Sequence, residues 1–209
     1  MCGIVGIHGR PSTRPVPEES AVLTAIDDAF DLVDDPAAAA ARLGEVNRLL
    51  RGAPGALALI DHLGFVASIV ARLDRFDAAV DAFDAEIETP GLPVEEVERR
   101  AAASIALRDV LWAIRHDRLR TADAVADLAG RGAGDAAVAG YLAIQQALSA
   151  IDRLEVRGRD SAGINVFVHR HALDPTDPAV AAALRERGGD PTYQSGAVVI
   201  DGEVASFVY

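Results

Sequence analysis

The chain has 209 residues, half of them hydrophobic, and a formal net charge of -12. That length suits one or two domains with a sizeable core, and the acidic balance argues against nucleic acid or an anionic membrane as a direct partner. All 20 basic residues are arginine, which excludes Schiff-base and phosphate-loop lysine chemistry, and the one cysteine excludes an internal disulfide or a cysteine-cluster metal site. No basic segment followed by an apolar run stands near the start, and charges interrupt the apolar stretches well short of membrane-spanning length. A cytoplasmic protein with no membrane partner is therefore expected.

The first stretch, Met1-Cys2-Gly3-Ile4-Val5-Gly6-Ile7, holds the only cysteine. Cys2 is small enough for Met1 to be clipped. The residue would then carry both a thiol, with a pKa of about 8.5, and an α-amine, at about 7.7–8. Near neutral pH the amine can accept the thiol proton, directly or through one water, and serve as a built-in general base. Ile4, Val5 and Ile7 read as a short buried strand, a rigid mount for the nucleophile, with Gly3 and Gly6 letting other backbone come close. The plain alternative is that Cys2 is a small buried hydrophobe. Residues 8–18 then break the pattern, since Pro11, Pro15 and Pro17 stop strand or helix. His8 is expected at a solvated strand end.

From Glu18 to about Leu128 the chain is alanine-rich and helically periodic, and five or six antiparallel helices in a small bundle are expected. Leu59, Ile60, Leu63, Val66, Val70 and Leu73 fall on one predicted face; Val94, Val97, Ala101, Leu107, Val110, Leu111 and Ile114 fall on another. Pro36, Gly52-Ala53-Pro54-Gly55 and Thr89-Pro90-Gly91 punctuate the segments. Trp112, beside Leu111, reads as core. The run Asp74, Asp77, Asp81 and Asp84 with Glu86 and Glu88 reads as a solvated face. His62 and His116 lack companions at ligand spacing, so no metal is assigned. Gly130-Arg131-Gly132-Ala133-Gly134 is a linker and not a phosphate loop, having no strand before it and no Gly-Lys-Ser/Thr after it. Asp135 is expected to cap a helix with the stripe Val138, Tyr141, Leu142, Leu148 and Ile151.

Next comes Leu154-Glu155-Val156-Arg157-Gly158-Arg159-Asp160-Ser161-Ala162-Gly163-Ile164. Ala162 to His169 alternates as a strand does, with Ile164, Val166 and Val168 on one side. Residues 178–187 read as a short helix. Residues 195–200 and 204–209 read as a hairpin about Asp201-Gly202. Ending inside an apolar strand, the chain is expected to be an N-terminal piece of something longer.

The Met-Cys-Gly-Ile-Val-Gly start, followed by Leu-Glu-x-Arg-Gly-x-Asp-Ser-Ala-Gly, resembles the class II glutamine amidotransferases, which are N-terminal-nucleophile hydrolases. Within them it is most similar to the glutaminase domain of the glutamine–fructose-6-phosphate aminotransferases, the glucosamine-6-phosphate synthase branch; Leu154-Glu155 favours that branch over the amidophosphoribosyltransferases. The resemblance implies an α+β fold, part of an αββα N-terminal-nucleophile sheet. Residues 1–10 would supply its first strand, and 134–209 its helix, Arg-Gly turn and further strands. Residues 11–133 would be an inserted helical bundle, a departure from the family, tolerable because loop-closure cost grows only logarithmically. It also implies Cys2 as catalytic nucleophile, with Arg157 and Gly158 positioning it. From the residues themselves, Asp160 and Ser161 would hydrogen-bond the turn.

The implied partners are glutamine and a sugar-phosphate acceptor, fructose 6-phosphate, carried by further domains. No cofactor is expected, and the full-length form is expected to be a homo-oligomer. The family's downstream glutamine clamps and oxyanion donors are missing: the only asparagines are Asn47 and Asn165, and neither precedes glycine. The 209-residue chain alone is therefore expected to turn over glutamine poorly. Two rivals stay open: an N-terminal-cysteine amide hydrolase without transfer, and a non-catalytic helical interaction module.

Overall fold

A computed structural model describes residues 4–87, 91–154, 163–189 and 197–208. The chain is α+β: mostly helix, with one small antiparallel sheet. It divides into two units, His8–Gln145 and Met1–Ile7 with Gln146–Tyr209.

The first unit is built from α1 (Glu19–Phe30), α2 (Pro36–Leu49), α3 (Gly52–Leu59), α4 (Leu63–Ile87), α5 (Val94–Trp112), α6 (Thr121–Ala129) and the first half of α7 (Asp135–Leu154). α5 passes into α6 through a π-helical stretch, Ala113–Arg120. Local chemistry explains several boundaries. Pro36 opens α2 at a position where a missing N–H costs nothing, and the Asp35 carboxylate accepts from the Ala38 N–H at 3.2 Å. Just past the end of α3 the chain turns at Asp61, whose φ of 65° is left-handed. The Asp61 carboxylate accepts from the Gly132 N–H at 2.8 Å and from Arg131 at 3.4 Å, so the linker after α6 holds this corner. Gly130 and Gly132 both have positive φ, which glycine adopts at little cost.

The core is one cluster with an amphipathic stripe from each helix. α1 contributes Val22, Ala25, Ile26 and Ala29; α2 contributes Ala39, Leu43 and Val46; α4 contributes Phe65, Ile69, Leu73, Phe76 and Val80. Leu107 and Leu111 of α5, Val125 of α6 and Val138 of α7 close it. Phe30 and Phe76 meet edge to face at 5.2 Å, and the Arg75 guanidinium lies 3.9 Å from the Phe30 ring centre; the two contacts together add about 1–2 kcal/mol beyond burial. The stripe expected to run from Leu59 through Leu73 is corrected in two ways. The helix breaks between Leu59 and Leu63, and α4 turns Phe65 and Ile69 inward while Leu63 and Val70 are exposed.

The acidic run of α4 is solvent-exposed, as expected, and it is also paired; Glu88 lies outside the described residues. Asp74 and Asp77 pair with Arg115, Asp81 and Asp84 with Arg108, and Glu86 with Arg100. Ser104 donates to Asp84, and that bond, with Arg108 beside it, holds the Asp84 carboxyl below the usual range. Ascending positions on α4 meet descending positions on α5, so the two helices run antiparallel along a charged seam. Each pair is half exposed and contributes about 0.2–1 kcal/mol; their joint effect is to set register. Asp27 of α1 ties in from the other side through Arg72 and Arg75, both at 3.0 Å.

At the start of α5, Glu96 accepts from Arg99 at 2.7 Å and from Arg100 at 2.6 Å, and these bonds depress its pKa from 4.5 to about 2. A lowered folded-state pKa contributes stability that is present above 4.5 and lost as pH falls through about 2. Urea titrations at a series of pH values are therefore expected to show wild type and Glu96→Gln converging across that window. Curves that stay parallel down to the lower limit would contradict this.

In the second unit, β1 (Asn165–His169) and β2 (Val198–Asp201) flank β3 (Val204–Val208), giving the antiparallel order β1-β3-β2. Val166 pairs with Phe207 and Val168 with Ala205, while Val198 and Ile200 pair with the same two residues from the other side. These six apolar residues therefore share one face. Phe167, Ser206 and Val199 share the other, where Phe167 is 59% exposed. Asp201 pairs with Val204, so the loop is Gly202-Glu203, one position later than expected, with Gly202 at a φ of 54°. α8 (Pro178–Gly189) packs on β2, and Asp177 caps it by accepting from the Ala179 and Val180 N–H groups at 2.8 and 3.1 Å.

Among the described residues no single helix is long and apolar enough to cross a membrane. α3 and α4 pass such a test only as a pair, bent by 103°.

Candidate functional site

The residues expected to carry chemistry, Cys2, Arg157, Gly158, Asp160 and Ser161, all lie outside the described residues, as do Gly3 and Glu155. The structure describes their flanks. On the N-terminal side, Ile4–Ile7 form no strand. Ile4 is 98% exposed, and Val5 and Ile7 are exposed as well. The buried strand expected there is corrected. A strand needs a partner for its N–H and C=O groups, and the described strands pair only among themselves: β3 uses both its edges on β1 and β2. His8 is exposed. On the other side, α7 ends at Leu154, and Gly163 and Ile164 lead into β1.

The segment that follows His8 is fastened to the helical unit. The Arg14 guanidinium donates to the Arg48 carbonyl at 2.8 Å and to the Arg51 carbonyl. These carbonyls stand at the end of α2, where the helix leaves acceptors without partners and favours a cation. Gly52, beside that guanidinium, has a φ of 74°, a left-handed backbone that glycine adopts at little cost. Pro17 and Val16 then reach a shallow depression of about 460 Å³ shared with Glu19, Leu57 and His62. There His62 Nδ1 lies 2.8 Å from the Glu19 carboxylate.

A second depression, about 560 Å³, runs between α2 and α5. Alanines 37, 40 and 41 with Gly44 line one side, and alanines 102, 103 and 106 line the other. Its floor of small side chains follows from the close approach of the two helices, and it offers no nucleophile or base. Arg118, in the π-helical stretch, is half buried and donates to Asn47 through both backbone and side-chain oxygens, at 3.2 and 2.8 Å. Burial, with Arg51 nearby, pushes its pKa down. Among the described residues no group of three or more His, Cys, Asp or Glu stands where it could hold a metal ion.

Trp112 is not core. It is 50% exposed and stacks on His116, ring centres 4.6 Å apart and planes 11° from parallel. It follows Leu111 by one residue and is therefore turned about 100° away from the core stripe. The residues that face the acidic run of α4 were also legible by spacing: Arg100, Ser104 and Arg108 of α5 and Arg115 of the π-helical stretch recur at four- and seven-residue intervals.

No protein-family model matches the chain, and no curated protein or solved structure matches it significantly.

Proposed function

We propose that the chain is part of a glutamine amidotransferase of the N-terminal-nucleophile type. In this reading Met1 is removed and the α-amine of Cys2 takes the thiol proton. The thiolate attacks the side-chain amide carbon of glutamine, a C–S bond forms, the C–N bond breaks, and ammonia leaves carrying the proton. Water then cleaves the thioester, releasing glutamate and restoring the thiol. Ammonia passes to a sugar-phosphate acceptor held by another domain, with fructose 6-phosphate the acceptor implied by the resemblance. Arg157, always charged and offering five donors in a plane, holds groups around the sulfur and favours thiolate; Gly158 lets the turn approach; Asp160 and Ser161 brace that turn. A cytoplasmic, homo-oligomeric full-length protein belongs to the same reading.

The observation that carries it is the pairing of two motifs, Met1-Cys2-Gly3-Ile4-Val5-Gly6 and Leu154-Glu155-x-Arg157-Gly158-x-Asp160-Ser161-Ala162-Gly163, in one chain. The division into units supports it. Residues 1–7 and 146–209 fall in one unit and the helical residues between them in another with a core of its own, as an inserted bundle would, although that core also takes Val138 and Leu142 from the helix expected in the glutaminase part. The exposed Ile4–Ile7 segment adds nothing to it, because the strand that would mount the nucleophile is not formed. The experiment is Cys2→Ala, assayed with glutamine and with ammonia as nitrogen donor.

A further inference from the structure

The outer face of α5 carries an exposed apolar stripe that no other element covers among the described residues, although Trp112 stacks on His116 along one side of its ring. Val94, Ala101, Ile105 and Trp112 recur at seven, four and seven residues and so line one side of the helix. Val94 is 68% exposed, Ile105 59% and Trp112 50%. Glu98 sits within that stripe by helical spacing, and Asp109 and Glu95 stand along the flank turned away from α4. All three acids are exposed, and among the described residues none of them has an ion-pair or hydrogen-bond partner through its carboxylate.

The flank turned toward α4 gives the template for reading this face. There the chain joins two helices by setting arginines of one against carboxylates of the other beside apolar residues: Arg108 with Asp81 and Asp84, Arg115 with Asp74 and Asp77. The outer face repeats one half of that arrangement: the apolar stripe and carboxylates are present, and the neighbouring arginines, Arg99 and Arg108, are already paired with Glu96, Asp81 and Asp84 of this chain. A second copy of the same face would set acid against acid. Beside the stripe, Ala102 and Ala106 line the open groove shared with α2, which leaves space for an incoming side chain.

We propose that the outer face of α5 docks an amphipathic helix whose apolar stripe is flanked by arginine or lysine. The partner's apolar residues cover Ile105 and Trp112, and its cations meet Glu95, Glu98 and Asp109. Association is steered by charge, so it weakens with salt.

Trp112 is the only tryptophan in the chain, so its emission reports this face alone. The full chain is titrated with a tryptophan-free helical peptide of α5's length, with leucines at i, i+3/i+4, i+7 spacing and arginines beside them. The control is a peptide of identical composition whose order destroys the stripe. Expected are a saturable blue shift with the patterned peptide only, loss of affinity by about tenfold in Ile105→Asp, and a smaller loss in Glu98→Gln/Asp109→Asn that disappears at high salt. The Ile105 side chain is exposed, so the variant retains its fold; circular dichroism checks that. Equal response to the scrambled peptide, unchanged Trp112 emission, or undiminished binding by Ile105→Asp would each overturn the proposal. So would sedimentation showing that the chain alone dimerises and that Ile105→Asp makes it monomeric, since a second copy would then be the occupant.

Discussion

Alanine at position 2 is expected to abolish glutamine-dependent transfer in a protein that joins this chain to an acceptor domain, lowering kcat/KM by at least about 10³-fold. Ammonia-dependent transfer should be unchanged, because free ammonia bypasses the thioester. The size of the effect follows from what Cys2 supplies. In the proposed reading it brings nucleophile and base on one residue, so no neighbouring side chain can take over the role; alanine keeps the backbone and the amine and loses the sulfur. Serine keeps a nucleophilic atom, but a hydroxyl is far harder to deprotonate than a thiol, so Cys2→Ser should be nearly as damaged. Glutamine use retained by both variants would refute the assignment. The 209-residue chain by itself should be slow even with Cys2 intact. Missing one oxyanion donor alone costs about 2.7–4 kcal/mol in the transition state, and the chain has no Asn-Gly pair to offer.

The largest expected effect on folding lies elsewhere, at Gly55. A Cβ built there would stand 2.0 Å from the Leu50 carbonyl oxygen and 2.1 Å from its carbon. Both obstacles are backbone, so the corner between α2 and α3 would have to move. Leu50, at that corner, is 2% exposed and belongs to the core. Gly55→Ala is expected to destabilise the helical unit by about 3 kcal/mol, lowering Tm by about 6–12 °C for a chain of this length. Gly140→Ala makes the contrasting control. It lies inside α7 with nothing within 4 Å of the added carbon, and alanine there should gain about 0.5–1 kcal/mol through helix propensity. Thermal or urea unfolding of the two variants checks both signs; a Gly55→Ala protein as stable as wild type would show that the corner is loose.

Local pattern carried the helices and the strands, because amphipathic period and turn residues act within a few positions. Pro36 and Gly202 did in the fold what they announce in the sequence. What it missed depends on partners distant in the chain. The break at Asp61 is held by the Gly132 N–H, 71 residues on, and no window around Leu59 contains it. Read alone, the acids of α4 look like a surface; read beside Arg100, Arg108 and Arg115 they are also half of a seam. Trp112 was assigned to the core on hydrophobicity, but Leu107, Leu111 and Ile114 already fill the inward positions of that helix. Ile4, Val5 and Ile7 have strand composition and pair with no described strand. The candidate site is legible only as a pair of motifs, since the chemistry proposed for Cys2 and Arg157 rests on a resemblance that says nothing of the distance between them.

The claim on which the functional reading depends is that residue 2 carries a free amine and a free thiol together. A reagent selective for 1,2-aminothiols, such as a cyanobenzothiazole, tests it on the 209-residue chain without need of activity. The account predicts an intact mass lacking Met1 and one adduct, mapped to Cys2, that Cys2→Ala does not form. A mass retaining Met1, with Cys2 reacting toward maleimide and not toward the aminothiol reagent, would contradict it.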